Sequence, residues 1–157
     1  MAWLYALIVF VSIMLDQFSK HWAITTLHVG QSINIIPNFL SFTVIGNNGA
    51  AWSMLSGQTL FFYIVTTIAI IVLLIAFYKM RHDGKVALLS LSFLLSGTIG
   101  NAIDRFAHGY VIDMIHINIF NLPLLNFVCN LADIYITIGV VLLLIYIVKS
   151  DKKEGQN

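Results

Sequence analysis

Asp113, in Val111-Ile112-Asp113, and Asp133, in Asn130-Leu131-Ala132-Asp133, are carboxylates set in stretches too apolar to carry them without a reason. Two acids close enough to share a proton can hydrolyse a peptide bond. One, ionised, takes a proton from water, and the other, protonated, hydrogen-bonds the scissile carbonyl. The two come from segments about twenty positions apart, so they can converge across a cleft. Each also has a plainer reading: Asp133 stands where it can cap a helix N-terminus, and Asp113 could be an ordinary loop acid.

Other polar residues recur at helical spacing around this pair. Asp16 and Lys20 stand four apart with the acid first, so on a helix they share a face and can pair. Asn101, Asp104 and Arg105 lie three and four apart and also share a face. Asn47-Asn48-Gly49-Ala50-Ala51-Trp52 combines amides with small residues that let a backbone approach something closely, although such a run is more often a turn than a site. Other chemistries fit less well. The single cysteine, Cys129, and the five histidines show no spacing typical of a nucleophile pair or a zinc site. No glycine-rich phosphate loop is present, and magnesium held between carboxylates would want a denser acidic motif. No metal and no cofactor is assigned.

The elements that must position these residues follow from composition. Of 157 residues 59% are hydrophobic and only 10% charged, with a mean hydropathy of +0.91; ordinary soluble domains carry about 25% charged residues. The chain reads as a single integral membrane domain, 1–157, mainly α. Four runs match the roughly 20 apolar residues that a bilayer core requires, at about 2–22, 60–78, 86–103 and 131–148. The first reads as a retained span, since no basic n-region precedes it and Asp16 interrupts it. Between spans one and two the period changes to two. Leu40, Phe42 and Val44 alternate with Ser41 and Thr43, and Ile33 and Ile35 suggest a partner strand across a Pro37-Asn38 turn. Segment 23–59 therefore carries a small β-sheet at the membrane surface, and 104–130 is expected as a second loop. Ser96, Gly97 and Gly100 on the third span permit close helix packing.

Six of the eight Lys and Arg follow spans two and four, in the loop 79–85 and the tail 149–157. The positive-inside rule puts those ends, and both termini, in the cytoplasm. The sheet, the 104–130 loop, and Asp16, Asp104, Asp113 and Asp133 then lie at the outer face. A net charge of +1 offers no basic surface for nucleic acid.

With these residues in place, the chain resembles the bacterial lipoprotein signal peptidases, also called signal peptidase II, a family of intramembrane aspartyl peptidases. Five motifs in order carry the resemblance: Asp16-Gln17-x-x-Lys20, Asn47-x-Gly49-Ala50-Ala51-Trp52, Gly100-Asn101-x-x-Asp104-Arg105, Val111-x-Asp113 and Asn130-x-Ala132-Asp133. The resemblance implies an endopeptidase of the bacterial cell membrane that removes signal peptides from prolipoproteins by cutting before a diacylglyceryl-modified cysteine. It implies Asp113 and Asp133 as the catalytic dyad. Asn47, Gly49, Asn101, Arg105 and Asn130 would line the site or hold substrate, with Asp16, Lys20 and Asp104 in support. It also implies membrane lipid as a partner and inhibition by globomycin-type cyclic peptides. Three departures flank these positions: Gly46, Met114 and Cys129 stand where the family usually has other residues.

Two rivals use the same residues differently. A small proton-coupled transporter would employ the acids as a relay, but it would want them near the membrane midplane and usually within repeated spans. A non-enzymatic scaffold would need the glycines and not the acids.

Overall fold

A computed structural model of the chain describes residues 2–27, 31–49, 57–120, 122 and 125–154. The Ala50-Ala51-Trp52 end of the second motif, His28 and Pro123 lie outside the described residues. Four helices, α1 (Ala2–Thr26), α2 (Thr59–Lys79), α3 (Lys85–His108) and α4 (Leu131–Glu154), are joined by four strands, β1 (Ile33–Ile36), β2 (Leu40–Asn47), β3 (Val111–Asn118) and β4 (Asn126–Cys129). All four helices are long and apolar enough to cross a membrane. They outrun the apolar spans: α1 continues past Trp22, α3 past Ile103 and α4 past Val148. Lipid solubility ends where polar residues begin, but intrahelical hydrogen bonding does not depend on lipid and carries on into the flank.

The strands form one antiparallel sheet in the order β1-β2-β3-β4. The hairpin expected across Pro37-Asn38 is present, with Asn38 in the left-handed region (φ 59°) that its short polar side chain tolerates. The 104–130 segment corrects the expectation of a loop, because most of it is the end of α3 followed by β3 and β4. The strand signal there is half erased. Ile115 and Ile117 alternate with His116 and Asn118, but Val111 to Met114 are buried on both faces, so no period of two survives.

Register explains where Asp113 sits. Cys129 of β4 pairs with Ile115 of β3, and the chain then leaves the sheet at Asn130 to start α4. Asp113, two residues further along β3, therefore meets the N-terminus of α4 instead of a paired strand.

The third helix is buried along most of its length, while the other three each bury a narrower face and pack around it. On α1 the buried residues Tyr5, Ser12, Asp16, Lys20 and Ala23 recur at intervals of three, four and seven, a single stripe. A Cβ at Gly97 would run into the carbonyl oxygen of Ala132, and one at Gly100 would come within 2.5 Å of Asp16 Oδ2. These two positions let α4 and the Asp16 carboxylate lie against the α3 backbone. The buried Ser90, Ser92 and Ser96 hydroxyls donate to carbonyls of their own helix, so the packed face carries no unmet polar demand.

Candidate active site

The polar end of the helix bundle is built from the α1 stripe upward. Asp16, Lys20 and Asp104 are 0%, 1% and 1% exposed. The Lys20 ammonium lies 2.9 Å from Asp16 Oδ2 and 2.8 Å from Asp104 Oδ2, so the expected α1 pair is in fact a triad reaching α3. A buried ion pair alone is weak evidence of stability, because desolvation offsets the attraction. Here each carboxylate also accepts a backbone N–H. Asp16 Oδ1 takes that of Ala132 at 2.9 Å, and Asp104 Oδ2 that of Ile112 at 3.1 Å. The triad thus holds the first turn of α4 and the strand residue next to Asp113.

Above this layer stand the two acids. Asp113 accepts from Asn47 Nδ2 at 2.9 Å through Oδ2 and from Asn130 Nδ2 at 2.7 Å through Oδ1. Asp133 accepts from Asn101 Nδ2 at 2.9 Å through Oδ1 and from the Asn130 backbone N–H at 3.2 Å through Oδ2. Asn130 Oδ1 in turn takes the Asp133 N–H at 3.0 Å. The reciprocal pair is a capping box at the start of α4, so the capping role foreseen for Asp133 coexists with its place beside Asp113. Asn130 touches both acids.

Asp113 is 3% exposed. Burial pushes its carboxyl up to about 6; the Asn47 hydrogen bond opposes this, the charge of Asp133 adds to it, and Asn130 and the Lys20 charge oppose it. The Cys129 thiol, also buried, is pushed up to about 11 by desolvation and by the charges of Asp133 and Asp113. A thiol so far from ionising is no nucleophile.

Asn47, Gly49, Asn101, Arg105, Asp113 and Asp133 line one cavity of about 560 Å³. Its remaining wall is largely apolar, from Ile117 and Phe127 of the sheet and Ile134, Ile136 and Ile138 of α4, with Thr137 the polar exception. Ile134 and Ile138 also belong to the exposed face of α4, so the cavity runs from the acids toward the bundle's apolar flank. Arg105 lies with its Cζ 5.2 Å from the centre of the Phe62 ring, and among the described residues it makes no ion pair. Its guanidinium donates through Nη1 to the Asn101 carbonyl at 3.5 Å and otherwise lines a cavity whose acids already have amide partners.

Every site residue named from the sequence falls in this region. Seven of them, namely Asn47, Gly49, Asn101, Arg105, Asp113, Asp133 and, through its contacts to both acids, Asn130, gather at the cavity, while Asp16, Lys20 and Asp104 form the layer beneath. Sequence reasoning gave no role to Gln17, whose Nε2 lies 3.1 Å from Asp16 Oδ2, the Gly100 carbonyl and Asp104 Oδ1. An amide beside a buried acid on the polar stripe was the available signal. It also missed Tyr63, which donates to the Arg105 carbonyl at 2.8 Å and stacks on Phe106 at 5.0 Å; an aromatic in an apolar span gives no such signal. The three departures fill packing positions. The Tyr110 ring covers Gly46, 3.0 Å from where a Cβ would stand, and Met114 and Cys129 are buried.

Comparison with known proteins places this arrangement. The profile of a family described as Signal peptidase (SPase) II matches residues 8–149. The chain is 39% identical over 155 residues to the lipoprotein signal peptidase of Enterococcus faecalis, covering 98% of this chain and 94% of that one. It is 37% identical over 152 residues to that of Lactiplantibacillus plantarum, with 97% and 99% covered. The Staphylococcus aureus lipoprotein signal peptidase is 41% identical over 146 residues, with 92% and 88% covered. A solved bacterial membrane enzyme structure, obtained by the in meso method, superposes with a TM-score of 0.86 at 38% identity, covering 95% of this chain and 90% of that chain. A second superposes with a TM-score of 0.77 at 38% identity and 92% coverage of each.

Proposed function

The chain belongs to the signal peptidase II family, and from that premise we propose that it removes signal peptides from prolipoproteins with Asp113 and Asp133 as an aspartyl dyad. It is a multi-pass membrane peptidase. The proton-coupled transporter alternative finds no support in the family or in the names of its relatives. The observation that carries the dyad is the cavity itself: two acids bridged by Asn130 stand at the polar end of a chamber whose other walls are mostly apolar.

In this mechanism Asp113, deeply buried and with its carboxyl raised to about 6, carries the shared proton. Asp133, fixed by Asn101 and by the Asn130 N–H, serves as the carboxylate. A water between them gives a proton to Asp133 as its oxygen attacks the carbonyl carbon before the lipid-modified cysteine, and Asp113 protonates the carbonyl oxygen. Collapse of the tetrahedral intermediate breaks the C–N bond: the cysteine amine leaves with the proton held by Asp133, and one gem-diol hydroxyl returns its proton to Asp113 as the new carboxyl group forms. Arg105 donates to substrate carbonyls. The diacylglyceryl chains stay in lipid along the apolar α4 wall while the signal helix approaches sideways.

Location completes the proposal. Lys79, Arg81, Lys85 and Lys149 cluster at the end of the bundle opposite the sheet, which supports a cytoplasmic position for that end and an outward-facing dyad in the bacterial cell membrane. The whole chain acts as one membrane domain, and globomycin-type cyclic peptides occupy the cavity in place of substrate. The test is to incubate purified protein with a precursor peptide, with and without the diacylglyceryl group, and to identify products by mass. The expected outcome is a single cut before the modified cysteine, lost without the lipid and blocked by globomycin. A cut elsewhere, or equal cleavage of the unlipidated peptide, contradicts the proposal.

A further inference from the structure

Each of the three amides that face the acids is oriented by a partner outside its bond to them. Asn47 Oδ1 accepts the Gly49 N–H at 2.9 Å, and Asn130 Oδ1 accepts the Asp133 N–H at 3.0 Å, so both NH₂ groups are turned to Asp113. These anchors are backbone groups. Asn101 differs, because its Oδ1 is held at 3.0 Å by the Lys20 ammonium, a side chain from another helix. An ammonium has three donors and no acceptor. Two of the Lys20 donors are met by Asp16 and Asp104, and the third points to Asn101.

Tying α1 to α3 would need only the two carboxylates. The third bond has a separate consequence: Lys20 cannot face the NH₂ of Asn101, so that NH₂ must face Asp133 Oδ1, 2.9 Å away. The other group at Asn101 Oδ1, Asn130 Nδ2 at 3.2 Å, also lies within reach of Asp113 Oδ1 and the Ile112 carbonyl, and with two hydrogens for three acceptors it holds Asn101 weakly. With the amide flipped, Asn101 Oδ1 would oppose a carboxylate oxygen and Nδ2 would oppose both the Lys20 ammonium and the Asn130 amide, three repulsive contacts in place of three bonds.

We propose that Lys20 is a positioning residue of the peptidase reaction: it fixes the Asn101 side-chain amide in the one orientation that presents a donor to Asp133. The inference rests on the dyad reading. Its distinct content is that an obligate donor at position 20, rather than an ion pair, is what the reaction requires.

The test compares two charge-matched forms, Lys20→Met with Asp16→Asn and Lys20→Gln with Asp16→Asn. Each removes one positive and one negative charge, so the net charge of the buried cluster is unchanged and the cost of an unpaired carboxylate is reduced. Gln keeps an N–H that can reach toward Asn101, and Met does not. With the diacylated precursor peptide, the Met form is expected to lose about 10- to 100-fold in kcat with KM within about 2-fold of the parent, and the Gln form to recover most of that loss. Equal losses in both forms, a loss expressed in KM, or a Met form with parental kcat would overturn the inference. Neutron diffraction of the deuterated parent protein gives the same answer without a variant: both Asn101 deuterons should lie on the Asp133 side, and deuterons facing Lys20 would overturn it. Asp133→Asn in the same assay tests the dyad independently. If that variant cleaves normally the underlying reading fails, whatever the Lys20 forms do.

Discussion

Asn130 donates its side-chain amide to Asp113 at 2.7 Å from the residue that caps the helix carrying Asp133. One residue therefore does two separable jobs. In Asn130→Ser the hydroxyl can still accept the Asp133 N–H and cap α4, but it is too short to reach Asp113. Thermal unfolding in detergent should change little, because losing a cap outright costs about 1 kcal/mol and here the cap is kept. Turnover should fall about 10- to 100-fold. Asn130→Ala should lose both turnover and stability. If Ser and Ala unfold alike, the capping box does not contribute as described.

The buried carboxyl of Asp113 predicts a pH dependence of stability. Its folded value, about 6, lies above the usual 3.8, so the folded state favours the protonated form. The stabilising contribution is fully present below about pH 3.8 and is lost as pH rises through about 6. At about 1.4 kcal/mol per pKa unit the loss approaches about 3 kcal/mol. Unfolding followed between pH 4 and pH 7.5 should show a decline in the parent that Asp113→Asn lacks. Parallel curves for the two proteins would remove the assigned shift.

Gly97 is a close contact between α3 and α4, since a Cβ there meets the Ala132 carbonyl oxygen and lies 2.7 Å from Ile136 Cγ1. Gly97→Ala should destabilise by about 1–3 kcal/mol, the usual cost of overpacking. It should also reduce cleavage by displacing the first turn of α4, where Asp133 sits. Thermal unfolding and turnover measured together check this; a fully stable and active Gly97→Ala protein would mean the helices separate at no cost.

Cys129 lines the cavity, yet its thiol is pushed up to about 11. It should resist alkylation by iodoacetamide at pH 7.5, and Cys129→Ala should cleave the precursor within about 3-fold of the parent, since the change removes only a little packing. Rapid labelling or loss of activity would reopen a thiol mechanism.

The parts of this arrangement legible in sequence were those with a local signature. Apolar runs set the helices, the i, i+4 spacing joined Asp16 to Lys20, and alternation revealed β1 and β2. Two kinds of feature were hidden. In β3 the residues around Asp113 are buried on both faces, so the strand that aims the first acid lost its period. Bonds such as Asp104 to the Ile112 N–H and Asp16 to the Ala132 N–H join a carboxylate to backbone, and any residue but proline can supply an N–H. No residue type at position 112 or 132 could have announced them.

The central claim, that Asp113 and Asp133 act together as the hydrolytic pair, is tested most directly by Asp113→Asn and Asp133→Asn, each purified as a folded membrane protein and given a diacylated precursor peptide, with products read by mass. Both substitutions preserve side-chain shape and abolish proton exchange, at the cost of turning one acceptor oxygen of each acid into a donor that faces an N–H. The expected result is product before the modified cysteine from the parent and a loss of at least about 100-fold from each variant. Cleavage at the parental rate by either variant would contradict the dyad.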